Sequence, residues 1–429
     1  MSLLKDLPEL VSANLISNDT AQQITDYYKR KQVTSPNRQL LIFGIVGALL
    51  VGIGLMFIVA NQWDDLPRSV QTLCAYLILL VPQLLCGYVL LKKPEKTVWR
   101  ESTALILFFG VGASISLVSQ IYHINGEMSS FMLTWTLLTV PLVYLLNSSS
   151  VSLAYLVCIM IYGLSVRNVA ATTLEEYLFW ILFLIPLPRY FQIFKKSSEN
   201  ILFLAHHWII PFVLTMTLGT ISHKLKMVMY PNYIILFGIF YFVGNTADLK
   251  SRPLIQNGYK VFGFLGTVIT LLILTFKSPW HDLAIGNYHL ANLIIAPEFI
   301  AGIILFALAS LLLYHQNKLK NLKNWGLMDF LYLLFLLIFI LASQNTTLAV
   351  LAVNLVILFF GIFLLREGSR ISHLGVLNIG MVVIALLVIC RSFDTDLTFV
   401  VKGTLFVLVG IGFFGANWLM IKKRNNDEA

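Results

Sequence analysis

Charge is scarce in this sequence: Asp, Glu, Lys and Arg make up 12% of its 429 residues, against 58% hydrophobic residues. A soluble domain averages about 25% charged residues, so an ordinary water-soluble fold is excluded. Catalytic signatures are missing as well. There is no Walker lysine in a glycine-rich loop, no His-Glu-x-x-His and no Gly-x-Ser-x-Gly elbow, which disfavours an ATP-driven pump and the familiar membrane proteases. No arginine ladder of the voltage-sensor kind occurs either. Cysteine amounts to Cys74, Cys86, Cys158 and Cys390, each inside an apolar run and with no Cys-x-x-Cys pair. These read as small hydrophobes, and neither a metal nor a cofactor is expected. His206 and His207 are adjacent rather than three or four residues apart, so they point to different helix faces and make no metal site.

What the sequence has in abundance is long apolar runs, with a mean hydropathy of +0.81. Runs of about 17 to 22 residues recur from Leu40 almost to the C-terminus, each long enough at about 1.5 Å per residue to cross a hydrocarbon core of roughly 30 Å. The expected fold is an all-α polytopic transmembrane helix bundle of about fourteen spans, because lipid leaves a single-chain bundle no other way to satisfy its backbone. The spans run from Leu40–Ala60 to Thr398–Ile421. The sixth, Leu174–Leu187, is the weakest, since it opens on Glu175 and Glu176 and meets Pro186 and Pro188. Three regions follow: residues 1–38, a cytoplasmic amphipathic helical hairpin; 39–421, the multi-pass region; and 422–429, a short basic and polar tail. In the hairpin, Leu7, Leu10 and Val11 give one apolar face, and a second helix is expected to start at Asp19 with Gln22 completing a capping box. The N-terminal region is polar, so no cleavable signal peptide is expected and Leu40–Ala60 itself directs insertion.

The net charge of +9 would suggest nucleic acid in a soluble protein, but here membrane orientation explains it and no nucleic-acid partner is expected. With the N-terminus in the cytoplasm, most of the 30 Lys and Arg residues fall in inside segments, which puts both termini there. One inside loop, Asn147–Ser150, carries no positive charge, so the spans around it are where this topology is weakest.

That topology gathers the unusual polar residues on one outer face. The first loop offers Asn61, Trp63, Asp64 and Asp65; the third offers Gln120, Tyr122, His123, Asn125 and Glu127; the thirteenth offers Arg391, Phe393, Asp394 and Asp396. Within apolar runs lie Gln83, Glu298 and Lys402, candidate cavity-lining groups, with Glu298 about 8 Å into a span that starts at Leu293 and Lys402 at a similar depth in the last one. Glu298 and Lys402 are therefore expected to pair or to share a pocket. Small residues suggest which spans meet: Gly44, Ala48 and Gly52 on the first, Gly110, Gly112, Ser114 and Ser116 on the third, and Gly410, Gly412, Gly415 and Ala416 on the last. These three spans are expected to pack together and bring their loops side by side. A plainer reading stands beside each group: Asp64 with Asp65, and Asp394 with Asp396, can simply cap the spans that follow, while Trp63 and Tyr122 sit where interfacial aromatics belong.

The segments Ala60-Asn61-Gln62-Trp63-Asp64-Asp65, Gln120-Ile121-Tyr122-His123-Ile124-Asn125-Gly126 and Arg391-Ser392-Phe393-Asp394-Thr395-Asp396 together resemble an uncharacterised bacterial membrane-protein family, domain of unknown function 2157. The hairpin and first four spans carry the closest likeness, and the Arg-x-Phe-Asp segment extends it towards the C-terminal end. The resemblance implies a bacterial inner-membrane location and supplies no catalytic residues. Three functions are open. One is a secondary transporter or flippase-like protein for an amphiphilic or envelope-related solute, with the outer polar cluster as its gate or binding site and Glu298 coupling a proton. Another is a scaffold that docks an envelope protein through its outer loops. The third is a membrane enzyme using His123 with nearby carboxylates. The lipid bilayer is the one partner common to all three.

Overall fold

The computed structural model describes residues 7, 10–13, 15–34, 38–61, 66–166, 173–196, 201–222, 225–280, 296–317, 326–394 and 398–427. All regular structure among them is helical. Eleven helical stretches among these residues are long and apolar enough to cross a membrane, and three shorter apolar stretches, Ile42–Gly54, Gly258–Leu274 and Phe399–Gly415, fall on further expected spans. The chain divides into two compact units, Met1–Ile209 and Ile210–Ala429, where the sequence suggests one continuous multi-pass region.

The first unit begins with residues 10–12 in helical conformation and α1 (Asn18–Thr34). Ser17, not Asp19, caps α1: its hydroxyl accepts the backbone N–H of Thr20 at 3.2 Å. Then come α2 (Arg38–Asn61), α3 (Arg68–Lys92), α4 (Thr97–Ile121), α5 (Met128–Leu145) and α6 (Ser149–Val166). Helix α4 is the hub of this unit and packs on α2, α3, α5 and α6. The weak sixth run is broken in two, α7 (Thr173–Leu184) and α8 (Leu187–Lys196), around Ile185-Pro186. Pro186 has no N–H to give the Leu182 carbonyl, and the hydroxyl of Tyr155 on α6 donates to it instead at 3.1 Å. Tyr144 does the same for Ile185, and Tyr162 for the Glu175 carbonyl. The first unit ends at Ile209, within α9 (Ile201–Leu218).

The second unit is built on α10 (Met229–Gly244), which packs on α11 (Gly258–Leu274), α12 (Pro297–Asn317) and α13 (Leu327–Gln344). Its core includes the fully buried Trp280, Phe242, Tyr332, Phe335 and Phe360. Helices α14 (Thr346–Arg370) and α15 (Leu374–Asp394) approach closely through Gly368, where a Cβ would lie 2.4 Å from the backbone nitrogen of Leu377. Helix α16 (Phe399–Asp427) packs on α15 and runs into the expected tail as far as Asp427.

The expected packing of small residues is realised in part. A Cβ at Gly44 would meet Ser102, and one at Gly52 would meet the Phe109 ring, so the first and third spans pack as anticipated. Gly403, Gly410, Gly412 and Gly415 of α16, by contrast, have nothing among the described residues within 4 Å of where a Cβ would stand.

Candidate functional site

A groove of about 920 Å³ lies in the first unit between α3, α4 and α5. Its formation starts with Pro82 in α3. Lacking an N–H, Pro82 leaves the Ile78 carbonyl without its helical donor. Gly110 of α4 sits against that carbonyl, where a Cβ would be 2.9 Å from the oxygen. Two residues on, Gly112 meets the face of Trp135 from α5, whose indole N–H donates to the Phe108 carbonyl at 2.8 Å. Gly110 and Gly112 thus draw α3 and α5 onto α4, while Ser114 and Ser116, grouped with them by size, line the groove instead.

The mouth is formed by Gln120, Ile124, Gly126 and Glu127, and the lining continues through Ser116 and Ser114 to Gln83. Val111, at the deep end, is ten residues from the end of α4, so the groove reaches about 15 Å along the helix, to roughly the middle of a hydrocarbon core. Some lining hydroxyls are satisfied within the chain: Ser119 donates to the Ile124 carbonyl at 2.8 Å and Thr134 to that of Ser130 at 2.8 Å. The side chains of Gln83, Ser114, Ser116 and Gln120 have no hydrogen-bonding partner among the described residues. Leu79, Phe131 and Leu138 supply apolar wall. Polar groups at membrane depth are tolerated where they line a wet cavity or meet a polar ligand.

Of the expected site residues, Gln83, Gln120 and Glu127 meet in this groove. Tyr122 and His123 stand beside it, exposed, with His123 in the left-handed conformation at φ 50 and its N–H on the Gln120 carbonyl. Asn61 is the last residue of α2 and Asp394 the last of α15; Trp63, Asp64, Asp65 and Asp396 lie outside the described residues. Arg391 is 5.3 Å from the centre of the Phe276 ring.

Glu298 is fully buried. Helix α12 begins at Pro297, so Glu298 belongs to its first turn, whereas the sequence reading sets it about 8 Å into a span starting at Leu293. Its Oε1 accepts the backbone N–H of Leu225 at 3.0 Å, and its carbonyl accepts from the Asn232 amide at 2.8 Å. No Glu298–Lys402 ion pair occurs among the described residues, and Lys402 is half-buried on α16.

Two groups escaped the sequence reading. Glu101 on α4 is 2% exposed and accepts from the N–H groups of Ser149 and Ser150 and from the hydroxyls of Ser148 and Ser150. Arg189 of α8 reaches the same loop, donating to the Asn147 carbonyl, to Asn147 Oδ1 at 3.4 Å and to Ser149 Oγ at 3.2 Å. The signal was the uncharged Asn147–Ser150 loop: its positive charge comes from a different segment.

Many long apolar helices with a polar-lined groove at membrane depth define a multi-pass integral membrane protein of the helical class. Residues 8–152 match a family described as "Predicted membrane protein (DUF2157)". That stretch bears out the resemblance and holds every groove residue together with Glu101 and Ser148–Ser150; Arg391, Asp394 and Asp396 lie beyond it. No curated protein and no solved structure matches the chain.

Proposed function

We propose that this protein binds an amphiphilic, envelope-related solute in the groove of its first unit and passes it along the membrane normal, as a flippase-like secondary transporter of a bacterial inner membrane. The observation that carries the reading is the set of amide and hydroxyl groups at Gln83, Ser114, Ser116 and Gln120 that are left without partners beside an apolar wall. A polar head entering at Gln120 and Glu127 would satisfy them, while its apolar tail stays against Leu79, Phe131 and Leu138. The volume falls within the range of about 300–1,000 Å³ typical of ligand sites. The test is translocation of fluorescent-headgroup phospholipids in vesicles reconstituted with the full chain. Gln83→Leu should slow transfer about three- to tenfold, the worth of one hydrogen bond. A rate equal to that of protein-free vesicles would refute transport of this class.

The docking alternative draws on the rim, where Tyr122 and Ile124 are 61% and 57% exposed. The enzymatic reading has less support: the His123 ring has no partner among the described residues.

A further inference from the structure

The end of α4 opposite the groove mouth carries a second polar arrangement, independent of the transport reading. Arg100 and Glu101 are consecutive there and serve different neighbours. The Glu101 carboxylate is taken up by Ser148, Ser149 and Ser150. The Arg100 guanidinium makes no hydrogen bond or ion pair among the described residues, and its Nε is buried without a partner. Arg189 comes to the same corner from α8. Its terminal nitrogens are spent on Asn147 and Ser149, and its Nε too is buried and unpartnered. Arg189 and Glu101 meet at Ser149, the one on its hydroxyl and the other on its N–H, and Arg100 adjoins Glu101 on α4. Two cations against one carboxylate leave positive charge uncompensated in a partly desolvated place, which is costly unless an anion joins them.

The depth of the corner says which anion. The Lys93 ammonium lies 3.8 Å over the exposed Trp99 ring, an aromatic–cation pairing that belongs at headgroup level. Lys92, Lys93 and Lys96 outnumber Glu95 in the adjoining turn. Planar guanidinium groups match the oxygens of a phosphate better than any other anion common at that level. We propose that Arg100 and Arg189 clamp an organic phosphate at the membrane interface, carried either by an anionic phospholipid headgroup or by a small molecule in water.

The test is thermal melting of the full-length protein in neutral detergent, titrated separately with dioleoylphosphatidylglycerol, dioleoylphosphatidylcholine and glycerol 3-phosphate. The expected result is a rise in melting temperature with phosphatidylglycerol that phosphatidylcholine does not match. Arg100→Gln should weaken the apparent affinity about fivefold, the effect of one interfacial cation, while Arg100→Lys keeps most of it. Because the Arg100 guanidinium bonds nothing among the described residues, both variants should melt like the parent without lipid; Arg189→Lys, read against its own baseline, supplies a second arm should either fail to fold. An equal rise with glycerol 3-phosphate would make the ligand a soluble phosphate, and no rise with it would make the ligand a lipid. Equal shifts from both lipids with none from glycerol 3-phosphate, or a shift undiminished in Arg100→Gln, would overturn the clamp.

Discussion

The carboxylate of Glu101 accepts both the backbone N–H and the hydroxyl of Ser150, at 2.8 and 2.6 Å. With Ser149 N and Ser148 Oγ it completes the N-terminus of α6 from a different helix, the work normally done by a local cap. Removing it leaves the Ser149 and Ser150 N–H groups buried with no acceptor, and the Ser148 and Ser150 hydroxyls with only each other and the Glu101 carbonyl. Glu101→Ala should therefore cost about 3 kcal/mol or more, and Glu101→Gln less, since an amide oxygen still accepts. Thermal melting of the two variants checks this; equal melting for Glu101→Ala and the parent would show that water replaces the carboxylate at no cost.

The contact between Gly112 and Trp135 makes a second prediction. A Cβ at Gly112 would stand 2.5 Å from the indole, and the ring is held by its hydrogen bond to the Phe108 carbonyl. Gly112→Ala should push α5 away from α4 and cost about 1–3 kcal/mol, the usual range for overpacking. Trp135→Phe in the same chain removes the clash and should recover part of the loss. If the double variant is no more stable than Gly112→Ala alone, the ring is not what Gly112 accommodates.

Helix α4 also fixes a relation between two loops. Lys96 precedes it and Tyr122 follows it, and its 25 residues span about 36 Å at about 1.5 Å per residue, more than the hydrocarbon core. Cysteines placed at Lys96 and at His123, in a background lacking the four native ones, should react with an impermeant thiol reagent from opposite sides of the membrane, His123 from the outside. Labelling of both from one side would mean that α4 does not cross the bilayer and that the groove does not open outward.

Much of this was legible in the sequence for one physical reason: in lipid an apolar run of sufficient length has to be helical, so Leu374–Cys390 or Thr347–Leu365 needed no further evidence. Pro186 and Pro188 likewise announced the break between α7 and α8. The groove was half legible. Gln83, Gln120 and Glu127 stand out as polar residues in or beside apolar runs, whereas Ser114 and Ser116 are small enough to pass for packing residues, and only the structure separates them from Gly110 and Gly112. Glu101 was hidden because its partners lie 47 to 49 residues away along the chain, beyond any local pattern. It also sits beside Arg100, which makes it look like half of a surface ion pair.

Glu298 shows how much the reading of a carboxylate depends on where its helix starts. Starting its span at Leu293 places a carboxylate deep in lipid and asks for a cation such as Lys402; starting α12 at Pro297 places it in a first turn, where the helix dipole favours it and the Leu225 N–H meets it at 3.0 Å. A carboxylate so placed anchors the segment that leads into α10, and its acceptor role survives in an amide. Glu298→Gln should lower stability by roughly 1–2 kcal/mol, the difference between a charged and a neutral acceptor, and leave any dependence of transport on a proton gradient unchanged. The exchange Glu298→Lys with Lys402→Glu should melt no higher than Glu298→Lys alone, since no ion pair joins the two residues. Recovery in the exchange variant, or loss of gradient dependence in a folded Glu298→Gln protein, would restore Glu298 to the transport path and remove it from the anchor.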